Sequence, residues 1–176
     1  MISSRAAATV IPLAAAAFAA AFIAFEHFTG GVQTHHFLGR GDLPGFSNWL
    51  SLLVLPLLGI VVAVRIRRLQ TGHVGESLWP GFSVGIAGSL CYGAALASGF
   101  LLGLDSVSLV LFAGLLPISI ALPVYRAEYV FGFVAGMTIA FGSVIPLTFA
   151  VVFATLSFVV RRIALLVWSA LRGRRT

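Results

Sequence analysis

The sequence predicts an all-α, polytopic transmembrane helical bundle with six spans, and three observations carry that prediction. Hydrophobic residues make up 60% of the 176 positions and charged residues 9%, against roughly 25% in a soluble domain. Mean hydropathy is +1.07. Long stretches contain nothing ionisable, and the arginines stand at their ends. Such a chain would expose more apolar surface than water tolerates, so its solvent is lipid. Its length suits a single integral-membrane domain, residues 1–176.

A span needs about 20 apolar residues at a rise of about 1.5 Å each. The first runs from about 6 to 25, uncharged and preceded by Arg5. Small residues near Ala19–Ala21 resemble a signal cleavage site, but the apolar run exceeds the usual signal core of about 7–15 residues. A retained helix is therefore expected over a cleaved peptide. The second span covers about 47–64. Ser47 or Asn48 is placed to cap it, Trp49 to sit at the headgroup boundary, and Pro56 to bend it. It ends at Arg65, Arg67 and Arg68.

The third span, about 79–104, opens on Trp79-Pro80. Gly81, Gly85, Ser89 and Gly93 recur every four residues, a small-residue stripe that lets another backbone approach closely. This helix is expected at the bundle centre. The fourth, about 106–125, follows a capping signal at Asp105-Ser106 and contains Pro117 and Pro123.

The uncharged stretch from Tyr129 to Val160 is too long for one crossing of a core about 30 Å thick. Gly142-Ser143 followed by Pro146 reads as a turn, giving spans at about 127–141 and 145–161. Five spans, with one long tilted helix here, is the alternative. Six spans with both termini cytoplasmic put ten arginines inside and Arg40 alone outside; five spans put five inside and six outside. The positive-inside rule favours six. Arg161 and Arg162 then open an Arg-rich cytoplasmic tail over 161–176 and, with Arg65, Arg67 and Arg68, read as lipid anchors.

The net charge of +6 comes from eleven arginines and no lysine, which excludes Schiff-base and phosphate-loop lysine chemistry. Arginines flanking apolar runs point to lipid headgroups and not to nucleic acid. Cys91 is the one cysteine, so an internal disulfide and a Cys-ligated iron–sulfur cluster are excluded, and it reads as a small packing residue. The Ala-, Gly- and Arg-rich composition suits a bacterial inner membrane.

The polar chemistry gathers in the loop over 26–46, which this topology places on the extracytoplasmic face. Glu26, His27, His35, His36, Arg40 and Asp42 all fall there, with Phe37, Leu38, Leu43 and Phe46 between or beside them. Imidazoles and carboxylates are ligand types of zinc, copper and iron sites, so His27, His35, His36 and Asp42 form the candidate metal set. A divalent metal such as zinc or copper is the cofactor such a set could hold. Glu26, His27 and Asp42 are the candidate acid–base residues. No histidine-pair motif of the HExxH kind accompanies them. His73 and Glu76 stand on the opposite face and cannot join that set.

Three function classes follow. The first is a small accessory or binding subunit, its partners being membrane lipids and other membrane subunits or further copies of the chain. The second is a metal- or acid–base-dependent enzyme at the outer membrane face, which requires His35 or His36 close to Asp42 or Glu26. The third is a small transporter, disfavoured because no ionisable residue falls mid-span.

Overall fold

The computed structural model describes residues 4–36, 40, 42, 44–70 and 79–172. Among the described residues six helices follow one another in antiparallel order: α1 (Ser4–Thr29), α2 (Ser51–Gln70), α3 (Trp79–Leu101), α4 (Asp105–Ala121), α5 (Ala127–Phe141) and α6 (Val144–Arg172). Between α1 and α2 lies a two-stranded hairpin, β1 (Thr34–His36) and β2 (Gly45–Ser47), in the register Thr34–Ser47, His35–Phe46, His36–Gly45. The protein is an all-α bundle in which, among the described residues, four helices, α1, α2, α3 and α6, are long and apolar enough to span a membrane. The other two are shorter apolar helices, of 17 and 15 residues.

Local chemistry explains the boundaries. Ser47 caps a 3-10 turn over Asn48–Leu50, its Oγ accepting from the Trp49 N–H, and α2 follows directly. Pro12, Pro56 and Pro117 are carried inside their helices. The fourth helix ends at Ala121, short of the expected 125. Leu122 precedes Pro123 and is therefore extended (φ −105°, ψ 151°). Asp105 supplies no side-chain cap and instead sits in the first turn, where its charge suits the helix dipole. The uncharged stretch after Glu128 divides at Gly142, whose φ of +63° suits glycine and reverses the chain into α6.

The small-residue stripe meets a second one. A Cβ added to Gly93 would lie 2.6 Å from the Phe133 carbonyl oxygen, and one on Gly85 2.9 Å from Glu128 Cγ. On the facing helix, Gly132 lies against Ser89 and Ile86, and Gly136 against Leu90 and Ala94. In lipid there is no hydrophobic force to press helices together, and close backbone packing of this kind replaces it. The seam corrects one expectation: the central helix is α5, buried without interruption from Phe131 to Thr138, while much of α3 faces outward. The pair α1–α2 has its own close crossing, with Gly59 against the Pro12 backbone.

The antiparallel order gives the bundle two ends. The hairpin end collects the C-termini of α1 and α5 and the N-termini of α2 and α6. The arginine end collects the C-termini of α2, α4 and the N-termini of α3 and α5.

Candidate functional site

Asn48 is the centre of the hairpin end. It is 2% exposed, and its Nδ2 donates to Glu26 Oε1 at 2.6 Å while lying 3.4 Å from His35 Nε2. One amide thus ties the last turns of α1 to strand β1. Both contacts are hydrogen bonds when His35 is neutral, protonated on Nδ1 and accepting at Nε2. Burial draws the His35 pKa below its ordinary 6.5, and the Glu26 charge offsets part of that shift. The other face of Asn48 rests on the α5–α6 turn, its Oδ1 against Gly142, a position where any side chain would collide. Beside it, Ser51 Oγ donates to Ser143 Oγ at 3.0 Å, fastening α2 to the start of α6. Glu26 is buried, and its second oxygen, Oε2, has no hydrogen-bond partner.

The remaining candidates are not gathered there. His27 is exposed one residue beyond Glu26 on α1, its ring edge-on to Phe28 at 5.4 Å. His36 follows His35 in β1, and consecutive strand residues face opposite sides. Its ring lies near Gly45 and lines a separate aromatic cavity. Asp42 is exposed and forms a two-point ion pair with Arg40 (2.8 and 3.1 Å), which holds its carboxyl below the usual range. Phe37, Leu38 and Leu43 lie outside the described residues, as do His73 and Glu76.

The metal expectation is therefore corrected. Among the described residues no group of three or more His, Cys, Asp or Glu side chains could hold a metal ion. The reason is geometric: strand alternation separates His35 from His36, the helix carries His27 outward, and Arg40 engages Asp42. Zinc or copper has no donor set among the described residues.

The arginine end holds a pair that the sequence reading missed. Glu128, in the first turn of α5, has a side chain 5% exposed, and its Oε2 lies 3.3 Å from Arg65 Nε. Neither atom makes a hydrogen bond, so the attraction is that of a charge pair alone. Arg65 also lies over the Phe82 ring, 5.9 Å from its centroid. Arg65 is thus partly exposed while its Nε faces Glu128. Arg67 and Arg68 are exposed at the end of α2. Arg161 donates to the Ala121 carbonyl at 2.8 Å, satisfying the C-terminus of α4, and Arg162 lies over Phe158. The overlooked signals were Ser51 and Glu128 at helix starts and the Gly132/Gly136 spacing.

Between the ends lie apolar cavities. One, of about 440 Å³, is lined by His36, Met137, Ile145 and five phenylalanines. A second, of about 430 Å³, lies among α3, α4, α5 and α6 and shares Phe133 with the first. Comparison with protein-family models, curated proteins and solved structures found no match.

Proposed function

We propose that this chain is a six-span protein of a bacterial inner membrane, both termini cytoplasmic, that serves as an accessory or binding subunit without chemistry of its own. The observation that carries this reading is how the buried polar side chains are used. Asn48 joins Glu26 to His35, Ser51 joins Ser143, and Arg65 faces Glu128. Each pairing ties one segment of the fold to another, and polar groups in lipid serve as such fasteners. The space left inside is apolar, which suits holding a lipophilic molecule. Exposed apolar faces on α4 and α6, including Leu109, Val110, Leu165 and Leu166, suit contact with lipid or a neighbouring subunit. With six crossings, the 15-residue α5 spans about 22 Å. Its burial among other helices makes that shortness tolerable.

A second reading, an acid–base enzyme at the outer face, has one observation in its favour. The buried Glu26 Oε2 is unpartnered next to an imidazole held neutral. Native mass spectrometry of the protein, extracted gently from its own membrane, separates the two. The binding-subunit reading predicts reproducible co-purification with other membrane subunits or a bound lipophile, and it predicts that His35→Gln leaves this intact. A bare chain that loses a hydrolytic or isomerising activity on His35→Gln and Glu26→Gln would replace it with the enzyme.

A further inference from the structure

Three apolar cavities differ in what they could hold. The one between α1, α2, α3 and α5 is lined by alanines, leucines and other alkyl groups with Phe18 and Phe131, and an ordinary lipid chain fills such a space. The two that share Phe133 are different. The aromatic chamber has Phe100, Phe112, Phe133, Phe141 and Phe149 in its wall. Phe100 stands edge-on to Phe141 at 5.0 Å and Phe112 edge-on to Phe149 at 5.3 Å. Rings held in this way present faces and edges to a further flat ring, the arrangement aromatic groups favour over disordered alkyl contact.

Among the described residues lining this chamber, His36 is the one polar side chain, and no charged group joins it. His36 is exposed on the hairpin, so its imidazole stands at the chamber's mouth. A neutral imidazole offers one donor and one acceptor nitrogen. It therefore suits a ring oxygen both as a carbonyl, which accepts, and as a hydroxyl, which donates. An ionised headgroup would find no counter-charge there and would be desolvated at high cost.

The second cavity continues the first along the same four helices in the same order. Phe100 is followed by Tyr92, Gly88 and Val84 on α3; Phe112 by Leu115 and Ile118 on α4 and by Leu122 just past its end. On α5 the lining runs from Phe141 through Phe133 to Tyr129, about 18 Å at the helical rise. The Tyr92 hydroxyl is already bonded to the Leu111 carbonyl (2.6 Å), and Ser89 to the carbonyls of Gly85 and Ile86, so this stretch offers a tail mainly apolar wall. Both volumes fall within the range of about 300–1,000 Å³ usual for small-molecule sites.

We infer that the paired cavities form one binding site for an uncharged, tailed ring compound of the prenylquinone class, with its ring in the aromatic chamber beside His36 and its tail along α5. This rests on the binding-subunit reading and names its ligand. The experiment uses the full chain in phosphatidylcholine nanodiscs, empty nanodiscs serving as the partition blank. The probes are a decyl-substituted benzoquinone, the same ring without the tail, and decanol as the tail without the ring. Saturable binding of one decyl-quinone per chain is expected, with decanol competing at least tenfold more weakly.

His36→Leu, at an exposed position, should weaken the decyl-quinone and the tail-less ring alike, by about tenfold, the cost of one hydrogen bond at its upper range. Gly88→Phe fills the tail cavity. A Cβ there meets nothing within 4 Å, so the helix accommodates it. It should weaken the decyl-quinone tenfold or more and leave the tail-less ring unchanged. Equal competition by decanol would overturn the inference in favour of a plain lipid-chain site. Binding that survives both substitutions, or no saturable binding, would overturn it as well. Either result with subunit assembly still seen by native mass spectrometry sinks the ligand and leaves the binding-subunit reading standing.

Discussion

The two ends of the bundle solve the same problem with different chemistry. At the arginine end, Glu128 and Arg65 face each other as full charges, 3.3 Å apart, with neither atom hydrogen-bonded. At the hairpin end, a neutral amide mediates, and Asn48 reaches both the Glu26 carboxylate and the His35 ring. The first fastening joins the first turn of α5 to the last part of α2. The second holds down a hairpin of three-residue strands, too short to be stable alone. The difference teaches where the molecule can move. Among the described residues the charge pair has no second ion-pair partner, whereas an amide bridge releases when one of its acceptors becomes a donor.

The largest effect should come from breaking the charge pair. Glu128→Ala leaves a half-buried Arg65 without its counter-charge. Removing one partner of a fully buried pair costs about 3–5 kcal/mol. Arg65 is a third exposed and can reach water, so a loss of about 2–3 kcal/mol in chemical denaturation is expected. The double replacement Arg65→Met with Glu128→Leu should recover most of it, because two apolar side chains leave no orphan. A Glu128→Ala variant as stable as the parent would show that the pair fastens nothing.

Asn48→Leu comes next. It strands the buried Glu26 carboxylate and removes the His35 contact, at about 1–3 kcal/mol for an unsatisfied buried group. The loss should appear as hairpin opening and leave the α3–α5 seam intact, which backbone hydrogen exchange resolves. His35→Gln is smaller, about 0.5–1.5 kcal/mol, since a single longer contact is lost. Smallest is Asp42→Asn: its ion pair with Arg40 lies wholly in solvent, and no measurable change in stability is expected.

Much of this architecture was legible because lipid imposes simple rules. Uncharged runs and flanking arginines fixed the helices, and Gly142-Ser143 announced the break between α5 and α6. The α3 stripe announced a close seam, but not its partner. Gly132 and Gly136 had the same spacing, yet they lay in a run read for length alone. Placing α3 at the centre followed from that omission. The site was harder to read. The clustering of His27, His35, His36 and Asp42 in sequence suggested convergence in space, and a three-residue strand undid it by sending neighbours to opposite faces. Glu128 was hidden by position. It falls at the start of the expected 127–141 span, and only the fold brings it against Arg65 from another helix.

The buried polar groups thus fasten the fold at both ends, one end sealed and the other releasable by a proton. For the hairpin the sign is fixed by His35. Burial holds its folded-state pKa below the ordinary 6.5, so the closed hairpin retains its full stability above 6.5 and loses it as pH falls through the lowered value. Below that pH the imidazole carries hydrogen on both nitrogens, and Nε2 can no longer accept from Asn48. Glu26 is the charged group that faces His35 from α1, and its attraction moderates the effect without reversing it. The measurement is hydrogen exchange of the full chain in nanodiscs at pH 8 and pH 5, corrected for intrinsic rates. The account predicts faster exchange on acidification at Thr34–His36 and Gly45–Ser47, none at the first turns of α5, and loss of the acid effect in His35→Gln. Equal acid sensitivity at both ends, or a hairpin indifferent to pH, would contradict it.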